Sequence, residues 1–169
     1  MKHLIIGLVA LVACSGCYAS YVADGDGPPP RPRDCIALRD QGIVDALSED
    51  SERWVRPDAD EGGCFEAGGD SVFREEFVFC NSGPAVRYEV LLDGQEGDPA
   101  LSLGDPYLVV YEGGGVPAET TMCIGGNDDD GVGRDARFEL VVPEDGVITV
   151  VATSFVEETG TFQLRLRPR

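Results

Sequence analysis

Residues 161–167, with the sequence TFQLRLR, alternate apolar and polar side chains without interruption. Successive side chains of an extended strand point to opposite faces, so Phe162, Leu164 and Leu166 lie together on one face. Residues 137–142, RFELVV, show the same alternation. One apolar and one polar face is typical of antiparallel strands that pack on a core from one side. These two segments predict an all-β fold.

The same character extends over residues 64–169. Short apolar runs are separated there by clusters of Gly, Pro, Asn and Asp, as in the predicted turns at Asp93-Gly94 and Asp145-Gly146. About eight strands in roughly 100 residues suit one antiparallel two-sheet, jelly-roll-like β-sandwich. Besides the two segments above, the predicted strands are Ser71–Phe73, Glu76–Cys80, Val86–Leu92, Tyr107–Tyr111, Thr120–Ile124 and Val147–Thr153.

Residues 34–63 have a weaker pattern. Asp34 is a suitable cap for a short helix that runs to Leu38, and the apolar side chains of residues 43–47 have helical spacing. We therefore expect this segment to be a small appendage with room for one short helix, attached to the sandwich through Cys35.

Residues 1–13 are predicted to be a secretory signal peptide. A basic start is followed by an apolar run over residues 4–13 that has about half the length needed to cross a bilayer. Residues 11–14, LVAC, resemble the bacterial lipobox, in which the cysteine is lipidated and becomes the new N-terminus. We therefore predict a lipid on Cys14. Because Ser15 is not aspartate, the lipoprotein sorting pattern indicates an outer-membrane or cell-surface destination.

Two alternatives to lipidation of Cys14 stay open. Cys17 is a second candidate, and its modification would leave an even number of cysteines to pair. The other alternative is an ordinary signal peptide that is cleaved near Ala19 without lipidation. In either case residues 14–33, which include the sequence DGDGPPPRP, are too polar and proline-rich to pack, and we predict a flexible tether.

The four cysteines beyond the tether predict two disulfides. An exported chain meets an oxidising compartment, and neither a C-x-x-C pair nor a histidine is present in this region to build a zinc site. Four cysteines allow three pairings. The pairing that we favour from the sequence joins Cys35 to Cys64 and Cys80 to Cys123.

The chain is strongly acidic, with 31 Asp and Glu against 13 Lys and Arg and a formal net charge of −18. Its only lysine and only histidine are Lys2 and His3, inside the predicted signal peptide. The mature chain therefore lacks the residues for His-activated nucleophiles, His metal ligands, Schiff bases and phosphate-loop lysines. The negative charge also argues against nucleic acid as a partner. Besides the membrane, we expect a cation, a basic surface or another envelope protein.

Three segments occur in an order that resembles a known family. They are GDPYLVVY at residues 104–111, NDDDG at residues 127–131 and GTFQLRL at residues 160–166. Together they resemble the bacterial pre-peptidase C-terminal (PPC) domain, over residues 73–168. The resemblance implies a jelly-roll-like sandwich on secreted or surface proteins, often beside an enzyme, with calcium binding in some relatives. The opening strand of the family, Asp-x-Tyr-x-Phe, falls on Glu75–Phe79, where this sequence departs from the pattern.

The acidic run in residues 127–131 is a candidate calcium site. Asn127, Asp128, Asp129 and Asp130 concentrate carboxylate and amide oxygens on a glycine-flanked turn, and Asp105 opens a preceding strand. Calcium takes about six to eight such oxygens in tolerant geometry. The alternative is that these residues are turn formers that bond their own backbone. An EF-hand is excluded because the following segment alternates as a strand.

Two functional classes follow. The favoured one is a non-catalytic envelope lipoprotein, a binding or structural module that takes calcium as its cofactor. The alternative is a carboxylate-based or metal-assisted extracytoplasmic hydrolase, for which the many acidic residues of the chain would supply a pair of carboxylates.

Overall fold

The computed structural model describes residues 34–60, 63–65, 71–94, 101–129 and 134–169, which form twelve strands and no helix. The predicted signal peptide and tether lie outside these residues. No helix in the described part is long and apolar enough to cross a membrane. The strands are β1 (Ile36–Ala37), β2 (Gln41–Leu47), β3 (Glu52–Val55), β4 (Ala59–Asp60), β5 (Gly63–Cys64), β6 (Ser71–Cys80), β7 (Val86–Gly94), β8 (Pro106–Glu112), β9 (Gly125–Asn127), β10 (Ala136–Val142), β11 (Val147–Ser154) and β12 (Gly160–Pro168).

The strands form two facing sheets and a small ribbon. The sheet that we call sheet A has the order β1-β6-β11-β8-β9, and β3 also pairs with β6. Sheet B has the order β10-β7-β12-β2, and β4 pairs with β5 in a separate two-stranded ribbon. Every strand pairing is antiparallel except the short parallel pairing of β1 with β6. The predicted all-β, two-sheet sandwich is confirmed.

The main core lies between sheets A and B. The alternating strands supply it from one face each, as the sequence predicts for β10 and β12. Strands β8 and β11 are almost fully buried, because sheet A is covered on both faces. The largest fully buried side chains of this core come from both sheets: Phe79 and Leu108 from sheet A, and Leu47, Leu92, Phe162, Leu164 and Leu166 from sheet B.

A second core covers the outer face of sheet A. Trp54, Val109 and Tyr111 are buried in it, and the half-buried Cys64 and Cys123 pack against it. The loop that follows β8 carries covering residues, together with the β4–β5 ribbon. Sheet B has no such cover among the described residues, so its outer face meets solvent.

The helix predicted near residues 34–47 was wrong. These residues form β1 and β2 instead, and β2 pairs along its whole length with β12, with Ile43 opposite Leu164. The β-branched pair Ile43 and Val44 favours a strand, and the free edge of β12 supplies backbone partners that local spacing cannot reveal. The segment expected as an appendage thus contributes strands to both sheets.

The strand predicted at Thr120–Ile124 was also wrong. Residues 118–121 form a turn, in which the Thr120 carbonyl accepts a hydrogen bond from the Tyr111 hydroxyl at 2.7 Å. The strand begins later, at Gly125, where the chain meets the edge of β8. The turn at Asp145-Gly146 is confirmed, since Gly146 N–H donates to the Pro143 carbonyl at 3.0 Å, whereas Asp93 and Gly94 end β7 instead of forming a turn.

All four cysteines form disulfides, but the pairing that we favoured from the sequence was wrong. The bridges join Cys35 to Cys80, with Cα atoms 5.8 Å apart, and Cys64 to Cys123, with Cα atoms 5.4 Å apart. The parallel pairing of β1 with β6 brings Cys35 to Cys80. The ribbon holds Cys64 over sheet A, beside the loop that carries Cys123. Each bridge therefore has one of its cysteines, Cys80 or Cys64, inside the loop that the other bridge closes.

Candidate functional site

The predicted calcium ligands lie at one end of the β8–β9 pairing. Asn127 is opposite Leu108 in the register, and Asp105 precedes β8 by one residue. Because the strands are antiparallel, the chain beyond Asn127 runs alongside the chain before Leu108, which brings Asp128 and Asp129 toward Asp105. We call Asp105 and residues 127–130 the acidic turn. Asp130 is outside the described residues, so the structure places four of the five predicted ligands.

Two glycines shape the strand that leads into the acidic turn. A Cβ atom at Gly126 would lie 2.2 Å from the Leu108 carbonyl oxygen and 2.9 Å from the Ala59 Cβ atom. Gly125 has a φ of +152°, and a Cβ atom there would lie 2.5 Å from the Phe138 ring. The close approach of β4 and β8 to β9 therefore requires glycine at both positions.

The Asn127 side chain stabilises the turn itself. Its Oδ1 atom accepts a hydrogen bond from the Asp129 N–H at 2.7 Å, which is the local arrangement expected of a turn-forming asparagine. Within the described part of the chain, no three His, Cys, Asp or Glu side chains are grouped so that they could hold a metal ion. The described residues thus supply a turn and an oxygen-rich surface, without a complete ligand shell.

Asp105 is electrostatically coupled to this turn. Burial raises the pKa of the Asp105 carboxyl, Arg134 lowers it, and the neighbouring Asp129 and Asp128 raise it further, with a net upward direction. Its backbone is fixed, because Asp105 N–H donates to Glu158 Oε1 at 2.7 Å and the Asp105 carbonyl accepts from Phe155 N–H at 2.9 Å. The prediction that Asp105 lies near the acidic run is consistent with this coupling.

A buried arginine beside the turn was missed in the sequence. Arg56 is only 6% exposed, and its guanidinium carbon lies 3.8 Å from the centre of the Tyr107 ring and 5.0 Å from that of Phe155. Its nearest carboxylate oxygen is Asp58 Oδ1, 3.8 Å from Nη1, and Nη1 has no hydrogen-bond partner in the described structure. Nothing in the local sequence around residue 56 signals burial, because the rings that cover it come from β8 and from the loop after β11.

Tyr107 connects this arginine to the β4–β5 ribbon. Its hydroxyl oxygen accepts a hydrogen bond from Ala59 N–H at 2.7 Å and lies 3.2 Å from the Ala59 carbonyl. Burial raises the pKa of the Tyr107 hydroxyl. A neutral hydroxyl that both accepts and donates in this way holds the ribbon in place, which is a structural role.

Two open grooves lie away from the acidic turn. They adjoin at Glu49 and Thr159, and one is crossed by an ion pair of 2.7 Å between Arg53 Nη1 and Glu157 Oε1. The hydrogen bond from Arg53 lowers the pKa of the Glu157 carboxyl. Arg53 neutralises Glu157, while Glu49 and Glu158 leave this groove acidic, and neither groove contains a predicted site residue.

Known proteins that resemble this chain are found among solved structures, where six chains match. No family model matches the chain, and no curated protein does. Among solved structures, the chain is similar to the crystal structure of the pre-peptidase C-terminal domain of a collagenase from Bacillus anthracis, with 10% sequence identity and a TM-score of 0.48. The match covers 83% of this chain and 100% of that domain.

Proposed function

We propose that this chain is a non-catalytic binding or structural module of the cell envelope, held at the outer membrane by a lipid on Cys14. The observation that carries the non-catalytic part is the absence of lysine and histidine after residue 3. General acid and base catalysis and nucleophile activation at neutral pH depend most often on these side chains. Two disulfides in the folded part support export to an oxidising compartment.

Lipidation is tested by mass spectrometry of the protein purified from membranes. The proposal expects a mature chain that starts at Cys14 and carries the mass of the lipid, and it expects Cys14→Ser to release the protein from the membrane fraction. Cys17→Ser is the matched control and should leave the anchor in place. A mature chain that starts at Ala19 or later without lipid would contradict the proposal.

We also propose that the acidic turn binds calcium and that the ion stabilises the fold. The support is the coupling of Asp105 to Asp128 and Asp129, because carboxylates that repel one another are relieved by a divalent cation. The Asn127 carboxamide oxygen has two lone pairs, so its bond to Asp129 N–H leaves one for a ligand. Asp130 would complete the set.

Calcium binding is tested by the melting temperature in calcium and in chelator. At free calcium about a hundredfold above the dissociation constant, linkage stabilises the folded state by about 2.7 kcal/mol. Asp128→Asn with Asp130→Asn should abolish the rise. Asp45→Asn with Asp50→Asn changes the charge equally at exposed positions and should keep it. Equal melting temperatures of the unchanged protein in calcium and chelator would mean that the acidic residues only form a turn.

We propose that a basic surface binds the acidic residues outside the acidic turn. A pull-down from membrane fractions tests this, with elution by salt expected because the attraction is electrostatic. Hydrolysis of a glycoside or ester by the purified protein, lost on replacement of Asp105 by Asn, would instead support the hydrolase.

A further inference from the structure

The outer face of sheet B is rich in arginine. Strands β7, β10 and β12 place alternate residues in the main core, so the residues between them point outward. We call the outward side of these strands, with Asp135 directly before β10 and Arg169 directly after β12, the arginine face. Its charged residues are Arg87, Glu89, Asp93, Asp135, Arg137, Glu139, Arg165, Arg167 and Arg169.

The register makes this face one continuous patch. Arg137 and Arg165 lie on either side of Leu91, in one row across three strands. In the next row Arg167 is opposite Glu89, and Arg169 N–H donates to the Arg87 carbonyl at 2.9 Å. Neighbouring strands are about 4.8 Å apart, so the five guanidinium groups share a surface only three strands wide.

The arginines of the face outnumber its carboxylates. Arg137 lies 3.6 Å from Glu89, and Arg169 also contacts Glu89. Arg87 lies 3.6 Å from Glu139, and Arg165 lies 3.3 Å from Asp93. Arg167 is exposed and has no carboxylate within ion-pair distance among the described residues. Five arginines against four carboxylates leave a positive balance among the described residues of the face.

The rest of the chain, in contrast to the arginine face, is negatively charged. Among the described residues, the face holds five of the 13 Lys and Arg but only four of the 31 Asp and Glu. Sheets in a sandwich are about 10 Å apart, which exceeds the Debye length of about 8 Å at physiological ionic strength. Salt therefore weakens the repulsion between an anionic surface that touches sheet B and the solvent-exposed carboxylates beyond sheet A.

The side chains of the arginine face indicate which kind of anionic surface it can bind. Guanidinium groups bind phosphate oxygens in pairs of hydrogen bonds. Val44 and Val141 are 60% and 56% exposed on the same side, and apolar side chains among basic ones suit the boundary of a bilayer. The outward positions of the four strands of sheet B carry no aromatic side chain on which a nucleic-acid base could stack.

We propose that the arginine face docks on the phosphate groups of an anionic lipid bilayer. The choice of a bilayer rests on the proposed envelope location, since a lipid on Cys14 would keep a phosphate-bearing surface within reach of the tether. Docking would turn sheet B toward the membrane and leave the covered, acidic side of sheet A facing away from it.

The proposal is tested with the full chain carrying Cys14→Ser and Cys17→Ser, so that no lipid is attached. Binding is measured by co-sedimentation with vesicles of phosphatidylcholine alone and with equal parts of phosphatidylglycerol. We expect preference for the anionic vesicles, lost in about 0.5 M salt. Each arginine near such a surface contributes about fivefold, so Arg87→Gln, Arg165→Gln and Arg167→Gln together should weaken anionic-vesicle binding about a hundredfold.

The matched control replaces three exposed arginines outside the face, Arg39, Arg53 and Arg134, by glutamine with the same change in charge. Its preference for anionic vesicles should stay. The proposal is overturned if both vesicle types bind equally, if the two triple variants behave alike, or if duplex DNA binds where vesicles do not. Mass spectrometry of Cys14 is independent of this result, so a failure here is distinguishable from a failure of lipidation.

Discussion

Asn81 is the residue at which two turns of the sandwich meet. Its buried carboxamide nitrogen donates to the Pro84 carbonyl at 2.9 Å and to the Pro143 carbonyl at 2.8 Å, and its oxygen accepts from Gly83 N–H at 3.0 Å. Asn81→Ala removes all three bonds and leaves buried backbone groups unpaired. We expect a loss of about 2–3 kcal/mol in the free energy of unfolding, measured by urea denaturation.

Asn81→Asp tests the donated hydrogen bonds with almost no change in the size of the side chain. The carboxylate keeps an acceptor for Gly83 but has no donor for the two proline carbonyls. At neutral pH this variant should lose at least as much stability as Asn81→Ala. Unchanged stability of Asn81→Asp would show that the donated bonds contribute nothing.

Glu89 makes the free energy of unfolding depend on pH in the acid range. Its side chain is 3% exposed, and the hydrogen bond from Arg169 lowers the pKa of its carboxyl, although burial acts in the opposite direction. A carboxyl with a lowered pKa in the folded state binds fewer protons than in the unfolded state. Its stabilisation is therefore complete above the ordinary pKa of 4.5 and is lost as the pH falls through the lowered value.

We expect unfolding free energies between pH 7 and pH 3 to show this loss in the unchanged protein. Glu89→Gln should be less stable at neutral pH and should decline less steeply in the acid range, because its side chain does not titrate. Parallel curves for the two proteins would mean that Glu89 has the same pKa in both states.

Among the elements, β9 depends most directly on glycine. Gly126→Ala would force a methyl group into the Leu108 carbonyl, which is backbone and cannot rotate away. We expect a loss of about 2–3 kcal/mol in thermal or urea unfolding. Gly83→Ala is the control, since its new methyl group would meet only Asn81 Oδ1 at 3.8 Å, and its effect should stay within about 0.5 kcal/mol. Equal effects of the two substitutions would contradict the close packing of β9.

The disulfides tie the early strands to the sandwich. Non-reducing peptide mapping should find Cys35 with Cys80 and Cys64 with Cys123. Replacement of Cys64 and Cys123 by alanine should lower stability by about 4 kcal/mol in the chain-entropy model, because the closed loop spans 59 residues. A peptide that joins Cys35 to Cys64 would instead restore the pairing favoured from the sequence.

Strands with an uninterrupted alternation could be predicted from the sequence. Residues 137–142 and 161–167 lie within β10 and β12 with their apolar side chains in the core, because each strand packs on one face only. The prediction of a helix near residues 34–47 was wrong. These residues pair with the free edge of β12, more than 100 residues away in the sequence, and this pairing outweighs the helical spacing of the local apolar side chains. The disulfide pairing depends on the parallel contact of β1 with β6, which has no local sequence signal.

Part of the candidate site, like part of the fold, could be predicted from the sequence. The approach of Asp105 to the acidic run follows from antiparallel pairing of the strands that carry them. Arg56 was not predictable, because its burial requires rings from β8 and from the loop after β11. The arginine face was missed for a related reason. Its five arginines are spread over residues 87–169, and only the register of three strands brings them together.

At the scale of the whole molecule, a net charge of −18 opposes the compact state through repulsion among like charges. Sodium chloride screens this repulsion, so the melting temperature at pH 7 should rise as salt increases toward about 0.5 M. Near the isoelectric point of about 4.2 the same salt should have little effect. A melting temperature that falls with salt at pH 7 would show that the ion pairs outweigh the repulsion.

The crossed disulfides also give the molecule a mechanical property. A chain tethered at its N-terminal side is pulled from there, and the load at Cys35 passes through the first bridge to Cys80. From Cys80 the shorter covalent route runs back along β6 to Cys64 and through the second bridge to Cys123. Less than half of the chain between Cys35 and Arg169 lies on this route. A single-molecule pull between these residues should therefore release less than half of the contour length in the oxidised protein and all of it after reduction, so the fold is built to extend little under tension.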